Sequence, residues 1–234
     1  MTLSLFADSP SARPSSTFNN SGLQLFFARL ALPRRICRGQ FLYTTGSHEC
    51  SLFMIRTGWF KTTLSGAGGD ERVVGFHMAG NLLGLDGIAR NRRSSNVIAL
   101  EDGEVIEIQL SQLLASLAVR TDLLQAFLET MSSGIASGQT MMSASQMRAE
   151  QRFAAFLCKL SHEHALRGFS ASAMQLRMSR EDIGSFLGLT NSSISRLIAK
   201  FRLEGLIDVR HRDLRILSIE RLKMIANGLQ PVKE

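Results

Sequence analysis

The spacing of hydrophobic residues changes twice along the chain, and each change marks a different architecture. From Leu23 to about Ala118 they fall in short runs broken by glycine: GQFLYTTG, SLFMIRTGWFKTTLSG, ERVVGFHMAG, NLLGLDG and SNVIALEDGEVIEI. Runs of this length closing on Gly39, Gly46, Gly58, Gly69 and Gly80 predict strands whose turns need a positive φ, which glycine adopts without strain. Many such strands in succession predict an antiparallel, jelly-roll-like β-roll over residues 23–118. Residues 1–22, rich in Ser, Pro and Asn, bury too little to offset the entropy of ordering and are expected to form a loose tail.

The period then lengthens. Leu124, Leu128, Met131, Ile135, Gly138, Met142 and Ser145 recur at alternating four- and three-residue steps, the seam of a long helix over about 121–148, within a segment 119–149. No acidic residue lies between Glu129 and Glu150. An uncharged seam containing small residues lets two copies approach without repulsion, so this helix is expected to carry homodimerisation. A core helix of a single chain is the other reading of the same pattern.

Residues 150–201 read as three helical pieces, after which LIDVRHRDLRILSIE alternates like a hairpin with a basic turn at Arg210 to Asp213. That is the plan of a winged helical domain over 150–234, and the whole chain is expected to be α+β. Within MSREDIGSFLGLTNSSISRL, Ser179 precedes Asp182 by three residues, a capping-box-like helix start, and Gly188 stops the helix. Thr190 can cap a second helix, and Gly184, Gly188 and Ile194 supply the small residue, the turn and the buried branched residue of a helix-turn-helix at about 180–199.

At 100° per residue, with Ile194 inward, Ser192 and Arg196 point outward, Ser193 and Lys200 lie on one flank and Ser195 on the other. A helix at 191–202 with that outer face suits the major groove of DNA. Arg196 can donate two parallel hydrogen bonds to guanine O6 and N7, and short hydroxyls reach phosphates or base edges. The helix start at Thr190–Ser193 offers amides to a phosphate, with Lys200 and the wing residue Arg212 as further contacts. An ordinary helical hairpin with a solvated polar face gives a similar pattern; the basic wing and the dimer seam favour DNA.

Charge agrees with this. The 234 residues carry a formal net charge of +7, and residues 150–234 hold 14 of the 27 Lys+Arg against 9 of the 20 Asp+Glu. A basic carboxy-terminal third favours a polyanionic partner. No apolar run approaches the ~18 residues that would span a bilayer, and the amino terminus lacks a basic stretch ahead of an apolar core, so a cytoplasmic protein is expected. Cys37, Cys50 and Cys158 are widely spaced and signal neither a disulfide framework nor a metal cage. No nucleophile-and-base set or carboxylate cluster points to an enzyme.

Together these motifs resemble the CRP/FNR family of bacterial transcription regulators, the FNR branch most closely, from about Arg38 to Glu220. ERVVGFHMAGNLLGLDGIA is similar to the FNR-type sensory roll, AEQRFAAFL to the segment after the dimer helix, and MSREDIGSFLGLTNSSISRL to the DNA-reading unit. The resemblance implies a cyclic-nucleotide-binding-like roll, a dimer on a pseudo-palindromic promoter site, and RNA polymerase as a partner. FNR proteins hold a [4Fe-4S] cluster on three amino-terminal cysteines and one on a later strand; here the tail has none and the later position is Ile106, which speaks against a cluster.

Family members that bind cyclic AMP use a glutamate after the Gly84 position and an Arg-Ser pair. This chain has Leu85 in the first place and Arg93-Ser94 in the second, so Arg93 and Ser94 are effector candidates. Loss of the ribose contact argues against cyclic AMP, and Arg92, Arg93 and Ser94 then read as a solvated loop. His48 and His77 are the roll's histidines for any haem, which is not expected. In the reading helix the family's Glu-x-x-Ser-Arg is Ser192-x-x-Ser195-Arg196, so one guanine is expected under Arg196 with an altered neighbour. The alternative function is an effector- or partner-binding module that has lost DNA specificity.

Overall fold

The computed structural model describes residues 21–48, 51–66, 68–144 and 146–229. It divides into two compact units, the boundary falling between Ala136 and Ser137 inside a long helix. Nearly all of the tail expected over 1–22, together with Cys50 and Ser145, lies outside the described residues.

The first unit opens with a helix, α1 (Ser21–Leu30), followed by β1 (Arg34–Ile36), β2 (Phe41–Tyr43), β3 (Ser51–Thr57), β4 (Trp59–Ser65), β5 (Glu71–Met78) and β6 (Leu82–Leu83). A 3-10 turn at Leu85–Gly87 leads to β7 (Asn96–Ala99), β8 (Gly103–Gln109), α2 (Leu110–Leu117) and α3 (Thr121–Ala144). Two antiparallel sheets form, ordered β1-β8-β3-β6 and β2-β7-β4-β5. Gly39, Gly46, Gly58, Gly69 and Gly80 all have φ between +81 and +93. At Gly58 space is short as well, since a Cβ there would sit 2.9 Å from the Gly103 Cα.

β3 shows why the run LFMI is apolar without alternation. Phe53 and Ile55 face Phe60, Val97 and Ala99 in a core that takes residues from both sheets. Leu52 and Met54 join Phe26, Phe27, Leu113, Leu123 and Phe127 of the three helices in a second core. A sheet buried on both faces needs apolar residues at every position. α1 is a departure from the strand pattern expected from Leu23 onward: Leu23, Phe26 and Phe27 lie at helical steps on one face and are buried in the second core.

α3 uses Leu123 and Phe127 against the roll, with Met131 packed at the edge of the same core, and leaves much of the neighbouring stripe uncovered by the described residues. Leu124, Leu128 and Ile135 are exposed, Leu128 at 55% and Ile135 at 62%, and Met131 is half-buried.

The second unit contains α4 (Ala149–Leu166), β9 (Ala173–Gln175), α5 (Arg180–Leu187), α6 (Asn191–Leu203), β10 (Ile207–Arg210), β11 (Asp213–Ile216) and α7 (Ile219–Ala226). The wing is a three-stranded sheet ordered β10-β11-β9, one strand more than the hairpin pattern predicts. α7, which packs on α4, lies beyond the predicted hairpin. No helix among the described residues is long and apolar enough to cross a membrane.

Candidate nucleic-acid interface

Two helices and their shared core set the reading face. Ile194, Leu197, Ile198 and Phe201 of α6 are all buried, with the Phe201 ring 5.4 Å from that of Phe153 on α4. Burying side chains of this size stabilises by roughly 1.5–3 kcal/mol each, enough to fix which face of α6 remains outside. α5 and α6 cross closely because Gly184 has no side chain: a Cβ there would meet the Leu189 carbonyl oxygen at 2.6 Å.

Both helices begin on a capping side chain, and a glycine closes the first. Ser179 Oγ accepts from the Asp182 amide at 3.0 Å while the Ser179 amide donates to Asp182 Oδ2 at 2.9 Å, a reciprocal capping box. Gly188 closes α5 at φ 64°, and Arg152 from α4 donates to the Leu187 carbonyl at 2.6 Å, satisfying one of the helix's terminal acceptors. Thr190 Oγ1 then accepts from the Ser193 amide at 3.2 Å and begins α6. Thr190→Ala is expected to lower the unfolding free energy of this unit by about 1 kcal/mol in a denaturant titration, while Thr190→Ser restores most of it.

The outward residues fall as follows. Ser192 and Arg196 are exposed, Ser193 and Ser195 half-buried, and Lys200 and Arg212 exposed, the last in the tight turn between β10 and β11. The Arg196 guanidinium has no ion-pair or hydrogen-bond partner among the described residues. The other candidates are partly engaged. Thr190 Oγ1 lies 2.9 Å from both Ser192 Oγ and Ser193 Oγ, so the three hydroxyls form one cluster around the cap.

Lys200 Nζ is 2.5 Å from Glu150 Oε1 on α4, and that hydrogen bond holds its pKa above the ordinary lysine range. In the wing, Asp208 lies between Arg202 at 3.7 Å and Arg210 at 3.3 Å, holding both beside the hairpin that carries Arg212.

Arg180 was not among the expected contacts. It is exposed at the first position of α5 and its Nη1 donates to Ser195 Oγ at 3.3 Å, which joins it to the reading helix. The sequence does contain a signal for it: a cation in the first turn faces the positive end of the helix dipole, a placement that local stability disfavours.

The roll's effector candidates behave differently from a solvated loop. Arg93 is 2% exposed, so the expectation of solvation is corrected for this residue. Its Nη1 donates to the Gly84 carbonyl at 2.6 Å, its Nη2 to the Ser51 carbonyl, and its guanidinium lies 4.3 Å from the Tyr43 ring centroid. Two carbonyls and an aromatic face make burial of that charge tolerable, which no neighbour in sequence supplies. Ser94 and Arg92 are exposed.

Leu85 packs against the helix-side core and offers no acceptor to a ribose, so these residues do not fit a cyclic nucleotide. At the positions considered for a cluster or haem, Ile106 is buried among Met54 and Phe127 and brings no thiolate, His48 is exposed, and His77 Nε2 is 2.8 Å from Thr62 Oγ1. Cys37 is exposed and Cys158 buried in the other unit, its thiol pushed up to about 11 chiefly by burial. Among the described residues no group of three or more His, Cys, Asp or Glu is placed to hold a metal ion.

Residues 33–119 match the family model of the cyclic nucleotide-binding domain, and residues 151–225 that of the Crp-like helix-turn-helix domain. The transcriptional regulatory protein btr of Bordetella pertussis is 38% identical over 192 residues, covering 82% of this chain and 79% of the relative. The fumarate and nitrate reduction regulatory protein of Escherichia coli K12 is 38% identical over 198 residues, covering 84% and 79%.

The structure of FixK2 from Bradyrhizobium japonicum superposes with a TM-score of 0.75 at 21% identity, covering 88% of this chain and all of that one. A CooA mutant from Carboxydothermus hydrogenoformans gives 0.70 at 16% identity, covering 92% and 96%. With both domains matched in order and the relatives aligned along four-fifths of its length, the chain belongs to the CRP/FNR family of DNA-binding transcription regulators.

Proposed function

We propose that the protein acts in the cytoplasm as a homodimer on a pseudo-palindromic promoter site, with α6 of each copy in the major groove and Arg196 reading a guanine. The observation that carries this reading is the pairing of a guanidinium without a partner among the described residues, on the outer face of α6, with a firmly anchored inner face. A guanidinium with no competing acceptor can reach O6 and N7 without first breaking a contact. Ser192 takes the place of the family's glutamate at the reading helix; a hydroxyl donates and accepts, so the base beside the guanine is held less strictly.

Dimerisation runs along the stripe Leu124, Leu128, Met131 and Ile135, whose exposure leaves apolar area for a second copy to cover. Pairing there places the reading helices on half-sites ~34 Å apart. The dimer forms without added cofactor, and RNA polymerase is the partner the family relationship supplies. Mapping bound genomic fragments in cells tests the reading: paired half-sites upstream of transcribed genes are expected, and a distribution no different from random DNA overturns it.

Lys200 serves as a phosphate contact in competition with Glu150. Half-exposed pairs of this kind are worth only ~0–1 kcal/mol, so a phosphate can displace the carboxylate. Glu150→Gln should therefore strengthen binding to all sequences alike, and Lys200→Ala should weaken it alike and reduce the salt slope by ~1. If both variants leave the slope unchanged, Lys200 remains on Glu150 in the complex and is not a contact.

A further inference from the structure

The corner of the roll beside Arg93 has the chemistry of an anion-binding site, and it is already filled. Asp86, in the 3-10 turn, brings its carboxylate to the start of β7, where Oδ2 accepts from the Ser94 amide at 3.0 Å, the Ser95 amide at 3.1 Å, Ser95 Oγ at 2.8 Å and Ser94 Oγ at 3.2 Å. Four donors on one carboxylate oxygen, two of them successive backbone amides, form the concavity that holds a phosphate or carboxylate oxygen elsewhere. The other oxygen, Oδ1, accepts from the Tyr43 hydroxyl at 3.3 Å and lies 3.8 Å from Arg93 Nη1.

The arginine is built in from the opposite side. A Cβ at Gly84 would sit 2.7 Å from Nη1, and one at Gly87 3.0 Å from it, so two glycines keep the space for the guanidinium. Its Nε is buried and has no hydrogen-bond partner among the described residues. A charge held this firmly, with capacity to spare, needs an anion nearby, and among the described residues the carboxylate in reach is Asp86.

We propose that this corner is an oxyanion site occupied by the chain's own Asp86 carboxylate, which acts as a tethered ligand and closes the site to a phosphodiester. Emptied of that carboxylate, it takes a small free oxyanion. The roll thus keeps its occupied arrangement without an effector, and a nucleotide phosphate would have to displace an anion whose effective concentration is set by a covalent link. The inference does not depend on how α6 reads DNA.

The test is thermal unfolding of full-length Asp86→Ala against the native protein, titrated with inorganic phosphate or acetate while chloride keeps the ionic strength constant. The variant's transition should fall by roughly 4–8 °C and recover saturably with either anion, whereas the native protein responds to neither anion nor to millimolar cyclic AMP. With a folded variant, an unchanged transition, no recovery with anion, or equal stabilisation of the native protein by phosphate or cyclic AMP would overturn the proposal. If Asp86→Ala does not fold, folding on addition of phosphate is the same recovery. Failing that, Asp86→Asn decides: it keeps the shape and removes the charge, and a transition matching the native one would overturn the proposal, while a lower one supports it.

Discussion

Replacing Leu128 and Ile135 together by glutamate is expected to leave the protein monomeric at micromolar concentration and to weaken its binding to a two-half-site DNA by about 100- to 10,000-fold. The size of the effect comes from geometry. A dimer holds its second reading helix beside the second half-site as soon as the first has bound, and a monomer loses that effective concentration entirely. Both side chains are exposed, so the roll keeps its own cores, which use Leu123 and Phe127 from the same helix.

Glutamates at these positions place like charges opposite each other across the pair, the one at position 135 within the stretch that has no acidic residue between Glu129 and Glu150. Sedimentation and DNA titration on one sample check both halves of the expectation. A double variant that still sediments as a dimer would move the interface off this stripe.

Arg196→Ala is the second large effect, expected at about 1–3 kcal/mol, or roughly 5- to 150-fold in affinity. The loss should depend on sequence: severe where the half-site carries the guanine and small where it does not, so that the variant's preference flattens at one position. Arg196→Lys should recover little, because an ammonium cannot supply two parallel donors to O6 and N7. A uniform loss across sequences would instead mark Arg196 as a phosphate contact and pass the reading role to another residue, Arg180 being a candidate through its hydrogen bond to Ser195.

What could be read from the sequence follows the range of the forces involved. The reading unit was legible because its determinants are local: the Ser179–Asp182 cap, Gly188 at positive φ and the stripe Ile194, Leu197, Ile198, Phe201 all act within a turn or two of helix. The roll's turns were legible for the same reason. α1 was written in the steps Leu23, Phe26, Phe27, but those few residues follow a polar, Ser-rich stretch and precede Pro33, which hides a single amphipathic helix among strands.

Arg93 was not legible at all. Set among Asn91, Arg92, Ser94 and Ser95 it has the composition of a surface loop; its burial depends on Tyr43, Ser51, Gly84 and Asp86, which the chain brings together only after folding. Lys200 shows the same limit on the reading face, where Glu150 lies fifty positions away.

Arg196, presented by α6 of two paired copies, is expected to read one guanine in each half-site. Selection of bound sequences from a random DNA pool, with the native protein and no added effector, tests it most directly. Paired, inverted half-sites about one helical turn apart are expected, each with an invariant guanine and a variable neighbour. Recovery of single unpaired sites, or of paired sites in which no guanine recurs, would contradict it.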